Sequence, residues 1–413
     1  MNDPNGLIYY KNKYHLFFQY NPKGDQWGNM SWGHATSTDL IIWQELPVAI
    51  SYTPTHAIFS GSAVVDYFNT TGFGSVENPA MVAIFTAHQH DGLHQSQSLA
   101  YSADDGLTWQ MYEKNPVLDL EMKDFRDPKV MWNTVNEAWV MSVVKPQEFT
   151  VSFYESQDLK QWELLSEFSN KNGTDGVWEC PDLFPLTVDS DPTKIKWVLL
   201  VSVNPGGVTS GSGTQFFIGD WNGKEFVADE ITTRWLDYGR DNYAGVTFND
   251  APDNRRIYLG WMNNWDYAKD IPANPARGSM TIPRELSLVT IDGKITLLQN
   301  PVKEISGSAI IDRTFTITPT DSKSGLRFTS DDGRSFEVGY DPQSKKIYID
   351  RANAWYPINS TPIHTAPFDG RGNSFEIRVI TDAGSVELFV GGGQVSITDL
   401  LDSTAGPWEP TPF

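Results

Sequence analysis

The sequence predicts an almost entirely β protein. Short segments rich in β-branched and aromatic residues alternate apolar with polar positions and end at turn residues, which is typical of strands. No window of about a dozen residues places apolar side chains at helical spacing between caps, and the 33 glycines and 25 prolines would interrupt a helix. The clearest strand patterns lie at 14–20, 81–86, 197–203, 214–219 and 257–262.

A weak internal repeat narrows the architecture of the first part of the chain. A Ser-x-Asp turn that ends in tryptophan occurs at 37–43, 102–109 and 156–162, and a looser version occurs at 219–226. Five units of this length fill residues 1–300, which favours a five-bladed β-propeller. The alternative interpretation is an ordinary run of β-hairpins with coincidental turns.

A second pattern of strands begins after residue 300, where aromatic residues become sparser. Alternating segments occur at 313–318, 335–340, 346–350, 375–380 and 385–389, and Gly, Asp or Pro separates them. This pattern predicts a β-sandwich. We therefore expect two domains, 1–300 and 301–413.

The composition excludes several classes of function. The chain carries 31 Lys and Arg against 52 Asp and Glu, a formal net charge of −21, which argues against a nucleic acid partner. No apolar run approaches the roughly 18 residues of a membrane-spanning helix, so we expect no membrane partner. The single cysteine, Cys180, excludes intramolecular disulfides and multi-cysteine zinc sites. We interpret His88, His90 and His94 as a loop cluster, and expect no metal and no cofactor.

Four N-x-S/T sequons suggest a secreted, N-glycosylated protein, although such triplets also arise by chance. They begin at Asn29, Asn69, Asn172 and Asn359. No basic start with an apolar signal region precedes Asn2, so we expect an extracellular protein whose export signal is absent from the given chain.

Three carboxylates stand beside turns or aromatic residues. Asp3 lies in an Asn-Asp-Pro-Asn-Gly turn at the start of a strand pattern, where a simple Asx turn is the alternative interpretation. Asp127 follows Arg126 and precedes a proline, and the alternative there is a surface ion pair. Glu179 stands between a tryptophan and a cysteine, so we expect an apolar neighbourhood that raises its pKa and suits a general acid.

These carboxylates suggest one kind of chemistry. Asp3, Asp127 and Glu179 lie near the starts of three different repeat units, and a closed propeller would bring all three to one end of its channel. Two carboxyl groups on either side of one bond are what glycoside hydrolysis requires. The 15 tryptophans supply apolar faces for stacking sugar rings.

Several distinctive segments follow one another in order along the first 300 residues. They are Met1-Asn-Asp-Pro-Asn-Gly6, Phe18-Gln-Tyr-Asn-Pro22, Trp27-Gly28, Trp32-Gly-His-Ala35, Phe59-Ser-Gly-Ser62, Phe125-Arg-Asp-Pro128, Trp178-Glu-Cys-Pro181 and Gly260-Trp-Met-Asn-Asn-Trp265. Together they resemble glycoside hydrolase family 32, the invertases, inulinases and levanases. The second domain is similar to that family's C-terminal sandwich through segments 338–341 and 385–389.

The resemblance implies a catalytic five-bladed propeller and a role for each carboxylate. Asp3 matches the nucleophile, Glu179 the acid/base, and Asp127 the residue that grips fructose hydroxyls and stabilises the transition state. The implied mechanism is retaining double displacement through a fructosyl-enzyme intermediate. The positions that match the lining of the fructosyl subsite are Asn2, Gln19, Trp27, Phe59, Ser60, Arg126 and Trp265.

The resulting hypothesis is an exo-β-fructofuranosidase that removes terminal fructose from sucrose and from fructans such as inulin and levan. Segments 178–184 and 260–265 look closer to inulinases and levanases than to strict invertases. The alternatives are a fructosyltransferase on the same site and a catalytically silent fructan-binding lectin. We expect these sugars as partners, and the sequence leaves the oligomeric state open, a homo-oligomer included.

The chain also departs from the family's pattern. The family usually has a leading strand before the position of Asp3, so we expect the N-terminus to be the edge of a fragment. In segment 274–278, Ala276 stands where the family commonly has Trp, and Gly278 stands where it often has Ser. These two departures affect the local packing near the rim. The second domain is short, so we expect its last strands to be missing.

Overall fold

The computed structural model describes residues 1–170, 176–273, 276–305, 310–356, 358, 360–370, 373–382 and 384–413. These residues form strands and a few single-turn 3-10 helices, which confirms the all-β prediction. The 3-10 helices are Pro146–Glu148, Pro252–Asn254 and Lys303–Ile305.

The first half of the chain forms three separate antiparallel sheets in chain order. The first sheet contains β1 (Pro4–Tyr10), β2 (Lys13–Tyr20), β3 (Ser31–Ser37) and β4 (Gln44–Ile50). The second contains β5 (His56–Val65), β6 (Met81–Gln89), β7 (Gln95–Ser102), β8 (Gln110–Met111) and β9 (Leu118–Met122). The third contains β10 (Arg126–Asn133), β11 (Ala138–Lys145), β12 (Thr150–Ser156) and β13 (Glu163–Ser169).

The next ten strands form two runs within one sheet. The first run is β14 (Val177–Val188), β15 (Asp191–Asn204), β16 (Gly213–Trp221), β17 (Phe226–Ala228) and β18 (Arg234–Trp235). The second run is β19 (Tyr243–Thr247), β20 (Arg256–Met262), β21 (Ser279–Met280), β22 (Arg284–Ile291) and β23 (Lys294–Pro301). A single parallel pair, Val188 with Leu288, connects the two runs.

The innermost strands of these sheets surround a central channel. Strand β1 contacts β5, β5 contacts β10, β10 contacts β14, β14 contacts β19, and β19 contacts β1 again. Asn249, just after β19, joins the end to the beginning: its N–H donates to the Leu7 carbonyl at 2.9 Å, and its carbonyl accepts from Tyr9 N–H at 2.9 Å. This arrangement fits a β-propeller.

Adjacent sheets bury apolar layers between them. Phe17 and Trp32 of the first sheet pack with Ile58 and Phe85 of the second, and each of these side chains is at most 1% exposed. Similar layers lie between the second and third sheets and between the third sheet and the β14–β17 run. Alternate residues of each strand therefore point into these layers, as the period-2 pattern predicts.

The repeated tryptophan turn is a real structural unit. The turns at 37–43, 102–109 and 156–162 follow β3, β7 and β12, the third strand of each sheet. In each turn the tryptophan indole N–H donates to a main-chain carbonyl of the same turn, at 3.0, 2.9 and 3.0 Å. The turns therefore occupy equivalent places in three sheets, which the interpretation as coincidental hairpin turns does not explain.

The C-terminal part is a two-sheet β-sandwich. One sheet has the order β24 (Ile311–Ile317), β29 (Phe375–Thr381), β30 (Ser385–Val390), β31 (Val395–Leu400). The other has the order β28 (Ile363–Pro367), β27 (Lys346–Asn353), β26 (Ser335–Asp341), β25 (Ser324–Ser330), β32 (Trp408–Pro412). Their facing side chains form one apolar core that includes Phe328, Phe336, Ile377 and Trp408.

Buried ion pairs join the sandwich to the sheets that precede it. Arg284 of β22 contacts Asp237 at 2.9 Å and Glu387 of β30 at 2.7 Å, and all three side chains are at most 2% exposed. Arg351 of β27 contacts Asp241 at 2.9 Å and is equally buried. Each of these charges has a partner of opposite sign, which offsets the cost of burying it.

We expect Arg284→Ala to lower the free energy of unfolding by about 3–5 kcal/mol, because it leaves two buried carboxylates without their cation. Urea unfolding followed by tryptophan fluorescence measures the loss. The control is Lys345→Ala, which removes a surface pair with Asp369 whose side chains are 61% and 57% exposed, and should leave stability unchanged. Equal effects of the two substitutions would contradict the structural importance of Arg284.

Candidate active site

Polar side chains from all five innermost strands meet at one end of the channel. Asp3 directly precedes β1, Ser60 lies in β5, Asp127 in β10, Glu179 in β14, and Tyr243 begins β19. The structure therefore brings together the three carboxylates that the sequence singled out. The Sγ of Cys180 lies 4.0 Å from Asp3 Oδ2 and 3.6 Å from Asp127 Oδ2, so these two carboxylates share one buried wall.

Irregular strand pairing turns these side chains into the channel. The register of each innermost strand shifts near the site, between residues 5 and 8, 58 and 61, 126 and 129, 179 and 182, and 243 and 246. Such bulges re-aim side chains. A proline follows Asp3, Asp127 and Cys180, and it cannot donate to the ladder there. Asp127 and Cys180 also have positive φ angles of 64° and 47°.

Asp3 is held by donors on both carboxylate oxygens. Ser60 Oγ donates to Oδ2 at 2.7 Å, and Asn2 Nδ2 donates to Oδ1 at 3.0 Å. The main-chain carbonyl of Asp3 accepts from the N–H of Gln19 at 3.0 Å, which fixes the backbone. Burial raises the pKa of Asp3 above its ordinary value, while the bonds from Asn2 and Ser60 favour the ionised form and oppose the rise.

Asp127 lies deeper, with only 6% of its surface exposed. Its Oδ2 accepts the main-chain N–H of Cys180 at 3.0 Å, and its own N–H donates to Thr86 Oγ1 at 3.0 Å. Burial raises the pKa of Asp127, and the Arg126 guanidinium opposes this rise from 4.0 Å away. The sequence left open a surface ion pair here; Arg126 and Asp127 do form an ion pair, but it is buried, since the two side chains are only 12% and 6% exposed.

The prediction that Glu179 has an apolar neighbourhood is wrong. Its Oε1 accepts from Arg126 Nη2 at 3.0 Å and from Arg126 Nε at 3.1 Å. Its Oε2 accepts from the Tyr243 hydroxyl. Successive side chains of a strand point to opposite faces, so the ring of Trp178 enters the apolar layer beside Phe168 and Glu179 faces the polar channel.

Tyr243 is a site residue that the sequence analysis missed. It is 1% exposed, and burial raises the pKa of its hydroxyl well above the ordinary value. The Tyr243 hydroxyl therefore stays protonated and donates to Glu179. The sequence offered only an indirect indication of Tyr243. If five repeat units form the ring, the fifth should also contribute a polar residue where its first strand begins.

A cavity of about 670 Å³ opens next to Asn2, which bonds Asp3, although none of the three carboxylates is among the residues that line it. Three of the predicted subsite residues, Asn2, Trp27 and Trp265, line it. Trp27 is 59% exposed at the mouth and its ring lies 6.0 Å from the ring of Phe59, centroid to centroid. Gln19 is buried, and its Nε2 donates to the Ile58 carbonyl at 3.0 Å.

Both parts of the chain match family models. Residues 1–301 match the glycosyl hydrolases family 32 N-terminal domain, and residues 283–403 match the family 32 C-terminal model. The chain belongs to glycosyl hydrolases family 32. This confirms the resemblance that the sequence motifs indicated.

Relatives of the family 32 chain include named fructan-degrading proteins. A levanase of Bacillus subtilis strain 168 is 42% identical over 97% of this chain, which spans 64% of that levanase. An extracellular exo-inulinase of Aspergillus awamori is 38% identical over 96% of this chain and 86% of its own length.

Solved structures of the family also match. The crystal structure of exo-inulinase from Aspergillus awamori has a TM-score of 0.87 and covers 97% of this chain and 90% of that one, at 38% identity. The β-fructofuranosidase from Schwanniomyces occidentalis complexed with fructosyl-erythritol has a TM-score of 0.90, at 33% identity, and covers 99% of this chain and 91% of that one.

The rim of the cavity contains Ala276, one of the two residues that depart from the family pattern, whereas Gly278, the other, is not among the residues that line the cavity. Ala276 and Arg277 line the cavity, and Arg277 Nη2 lies 3.3 Å from Asp25 Oδ2 across it. The N-terminal amine of Met1 donates to the Arg277 carbonyl at 2.6 Å, which ties the start of the chain to this rim. Residues 274 and 275 of the same segment lie outside the described residues.

Among the remaining sequence signals, His88 lies beside the site, where its ring stacks on that of Phe59 at 4.4 Å, centroid to centroid. In the part of the chain that the structure describes, no three His, Cys, Asp or Glu side chains are grouped to hold a metal ion. His94 instead pairs with Asp119 at 2.8 Å. None of the described helices has the length and apolarity needed to cross a membrane. Asn29 is exposed and Asn69 is half-buried, whereas sequons Asn172 and Asn359 lie outside the described residues.

We expect the Cys180 thiol to resist labelling by a thiol reagent in the folded enzyme, because it is 5% exposed and burial raises its pKa well above the ordinary value. Spectrophotometric titration with Ellman's reagent should detect one thiol only after denaturation. Rapid labelling of one thiol per folded chain would show that the wall behind the carboxylates is open.

Proposed function

We propose that the chain is a retaining exo-β-fructofuranosidase that releases terminal fructose from sucrose and β-fructans. The observation that carries this proposal is the pair Asp3 and Glu179, which face one end of the channel from different strands and are held by different partners. Two carboxyl groups placed around one glycosidic bond support double displacement.

The surroundings of each carboxylate support its role. Asp3 attacks the anomeric carbon, and the donors on both of its oxygens stabilise the ionised nucleophile. Glu179 protonates the leaving oxygen and then activates water, while Arg126 and Tyr243 orient its two oxygens. Asp127, held by the Cys180 N–H, binds fructose hydroxyls and stabilises the transition state.

The matching subsite residues support the proposed site in two ways: some bond to the carboxylates or their strands, and Asn2, Trp27 and Trp265 line the cavity. Asn2, Ser60 and Gln19 hold Asp3 or the strand beside it. Arg126 orients the acid. Trp27, Phe59 and Trp265 supply apolar faces near the mouth for the sugar ring.

The closed base of the channel supports exo action. Asn249 is 8% exposed, and its Nδ2 donates to the Ala63 carbonyl at 2.8 Å and to the Val130 carbonyl at 3.1 Å. Lys129 donates to the Thr247 carbonyl at 2.5 Å. These side chains fill the channel below the carboxylates, so a fructan enters with its end and cannot pass through.

The names of the relatives support the substrate class. They include a levanase, an exo-inulinase and a β-fructofuranosidase. Secretion is supported by the extracellular exo-inulinase among them, and we include N-glycosylation at exposed Asn29 in the proposal.

We further propose a five-bladed propeller over residues 1–300 and a sandwich domain over residues 301–413. The five innermost strands and their ordered contacts support the blade count. The last strand of the propeller, β23, ends at Pro301.

Glu179→Gln should reduce sucrose turnover by about 10²–10⁴-fold, because the poor leaving group needs a proton. Turnover of a fructoside with an activated leaving group should fall far less, while Asp3→Asn should abolish both. Product analysis measures free fructose, glucose and longer oligomers. If Glu179→Gln lowered the turnover of both substrates equally, its role as the acid would be contradicted. If the unmodified protein formed oligomers in place of free fructose, it would be identified as a fructosyltransferase. Sugar binding without any products would identify a lectin.

Ser60→Ala should move the acidic limb of kcat/KM to higher pH. Asp3 must be ionised to attack, so activity is lost as pH falls through its pKa, which burial has already raised. Removing the Ser60 donor disfavours the ionised form and raises this pKa further. The control is Ser142→Ala, a buried serine of β11 that bonds the Lys129 carbonyl at 3.4 Å. An acidic limb that moves equally in both variants, or in neither, would contradict the proposed pKa effect.

A further inference from the structure

A second cavity, of about 910 Å³, lies at the opposite end of the propeller from the carboxylates. Its walls come from the C-terminal ends of the innermost strands: Val65 ends β5, Asn133 ends β10, and Asn249 follows β19. The carboxylates lie at the N-terminal ends of these strands, and the side chains of Asn249 and Lys129 close the channel between the two cavities.

Aromatic rings form much of this second cavity. Phe68 is 62% exposed and Tyr67 is 45% exposed, although both are large apolar side chains. The ring of Phe68 lies 4.9 Å from that of half-buried Trp132, and Trp197 lies 6.1 Å from Trp221. Flat aromatic faces at the mouth of a cavity, with a few polar groups behind them, are typical of a small-molecule site.

Unsatisfied polar atoms lie behind the rings. Asn133 Nδ2, Asp182 Oδ1 and Trp221 Nε1 belong to side chains that are at most 9% exposed, and they have no hydrogen-bond partner within the described ranges of the chain. A buried polar group without a partner destabilises the folded protein. The set offers two donors and one acceptor, but neighbouring atoms cover all three, so the hydroxyl groups of a sugar reach them only when the adjacent side chains move.

The charges around this cavity are balanced. Asp220 pairs with Lys196 at 2.9 Å, and Asp182 lies 3.8 Å from Lys129. Arg256 interacts electrostatically with Asp182 and with Asp250. Because the acidic groups have basic neighbours, the cavity favours a neutral polar ligand over a phosphate or a cation.

We propose that this cavity is a second carbohydrate site, and that it holds a β-fructan chain at a distance from the bond being cleaved. The choice of fructan rests on the proposed function, whereas the aromatic and polar lining supports a neutral oligosaccharide directly. Binding there keeps chain ends near the enzyme and raises their effective concentration. Polymer hydrolysis gains from this second contact, and sucrose hydrolysis does not.

The test compares Phe68→Ala with Phe413→Ala, which removes another exposed ring, 43% exposed, at the far end of the sandwich. Phe68→Ala should raise the apparent KM for levan or inulin about three- to tenfold, and leave kcat/KM for sucrose unchanged. Phe413→Ala should change neither. Trp132→Ala is a second variant, and unchanged sucrose activity shows that it folds.

A binding measurement avoids dependence on turnover. In the Glu179→Gln background, migration in native gels that contain levan or inulin, with excess fructose to fill the catalytic cavity, reports the second site alone. Loss of retardation with Phe68→Ala or Trp132→Ala, but not with Phe413→Ala, supports the proposal.

Unchanged retardation and unchanged polymer KM in both variants would overturn the proposal. Retardation by soluble starch but not by a fructan would overturn the choice of ligand. Failure of the proposed function appears separately, as no fructose release from sucrose or fructan by the unmodified enzyme, and the gel measurement still tests the second cavity in that case.

Discussion

The contacts of Asn249 close the ring of sheets, and the rest of the site depends on this closure. Its main chain pairs with β1, and its side-chain amide reaches carbonyls of β5 and β10. One buried residue thus holds three innermost strands from different sheets. Because the strands then run side by side around the channel, their first residues meet at one end although they are far apart in sequence. Asp3 and Glu179 become neighbours for this reason.

Breaks in the strand ladders turn the side chains of the candidate active site toward this meeting point of strand ends. Regular pairing would leave alternate side chains in the apolar layers between sheets, whereas a bulge turns one more side chain into the channel. Proline after Asp127 and Cys180 prevents the ladder from closing there. The positive φ angles of these two residues cost of order 1–3 kcal/mol each. The bond from the Cys180 N–H to Asp127 links the two bulges and offsets part of this cost.

Burial of three carboxylates in one channel is tolerable because one cation, Arg126, serves two of them and neutral donors hold the third. Arg126 lies 3.0 Å from Glu179, 3.1 Å from Asp124 and 4.0 Å from Asp127. It binds Glu179 most directly, so Asp3 depends on neutral donors instead. The charged groups thus stay in the channel, and the layers between the sheets stay apolar. The two ends of the channel also differ, since one end is rich in acidic residues and the other in aromatic rings with balanced charges.

The sequence by itself determined the all-β class, the repeated tryptophan turns and the three carboxylates, because strand alternation, turn chemistry and Asp-Pro pairs are local features. It misjudged Glu179, since its sequence neighbour Trp178 points to the other face of the strand. The residues that contact Glu179 are distant in sequence: Arg126 comes from another sheet and Tyr243 from the second run of the same sheet. The sequence missed Tyr243, which has no local motif. The partner of Arg126, the Ser60 donor on Asp3 and the aromatic cavity of Phe68 and Trp132 were decided only by the tertiary structure. Each joins strands or loops of different sheets, and such contacts exist only once the ring has closed in one register.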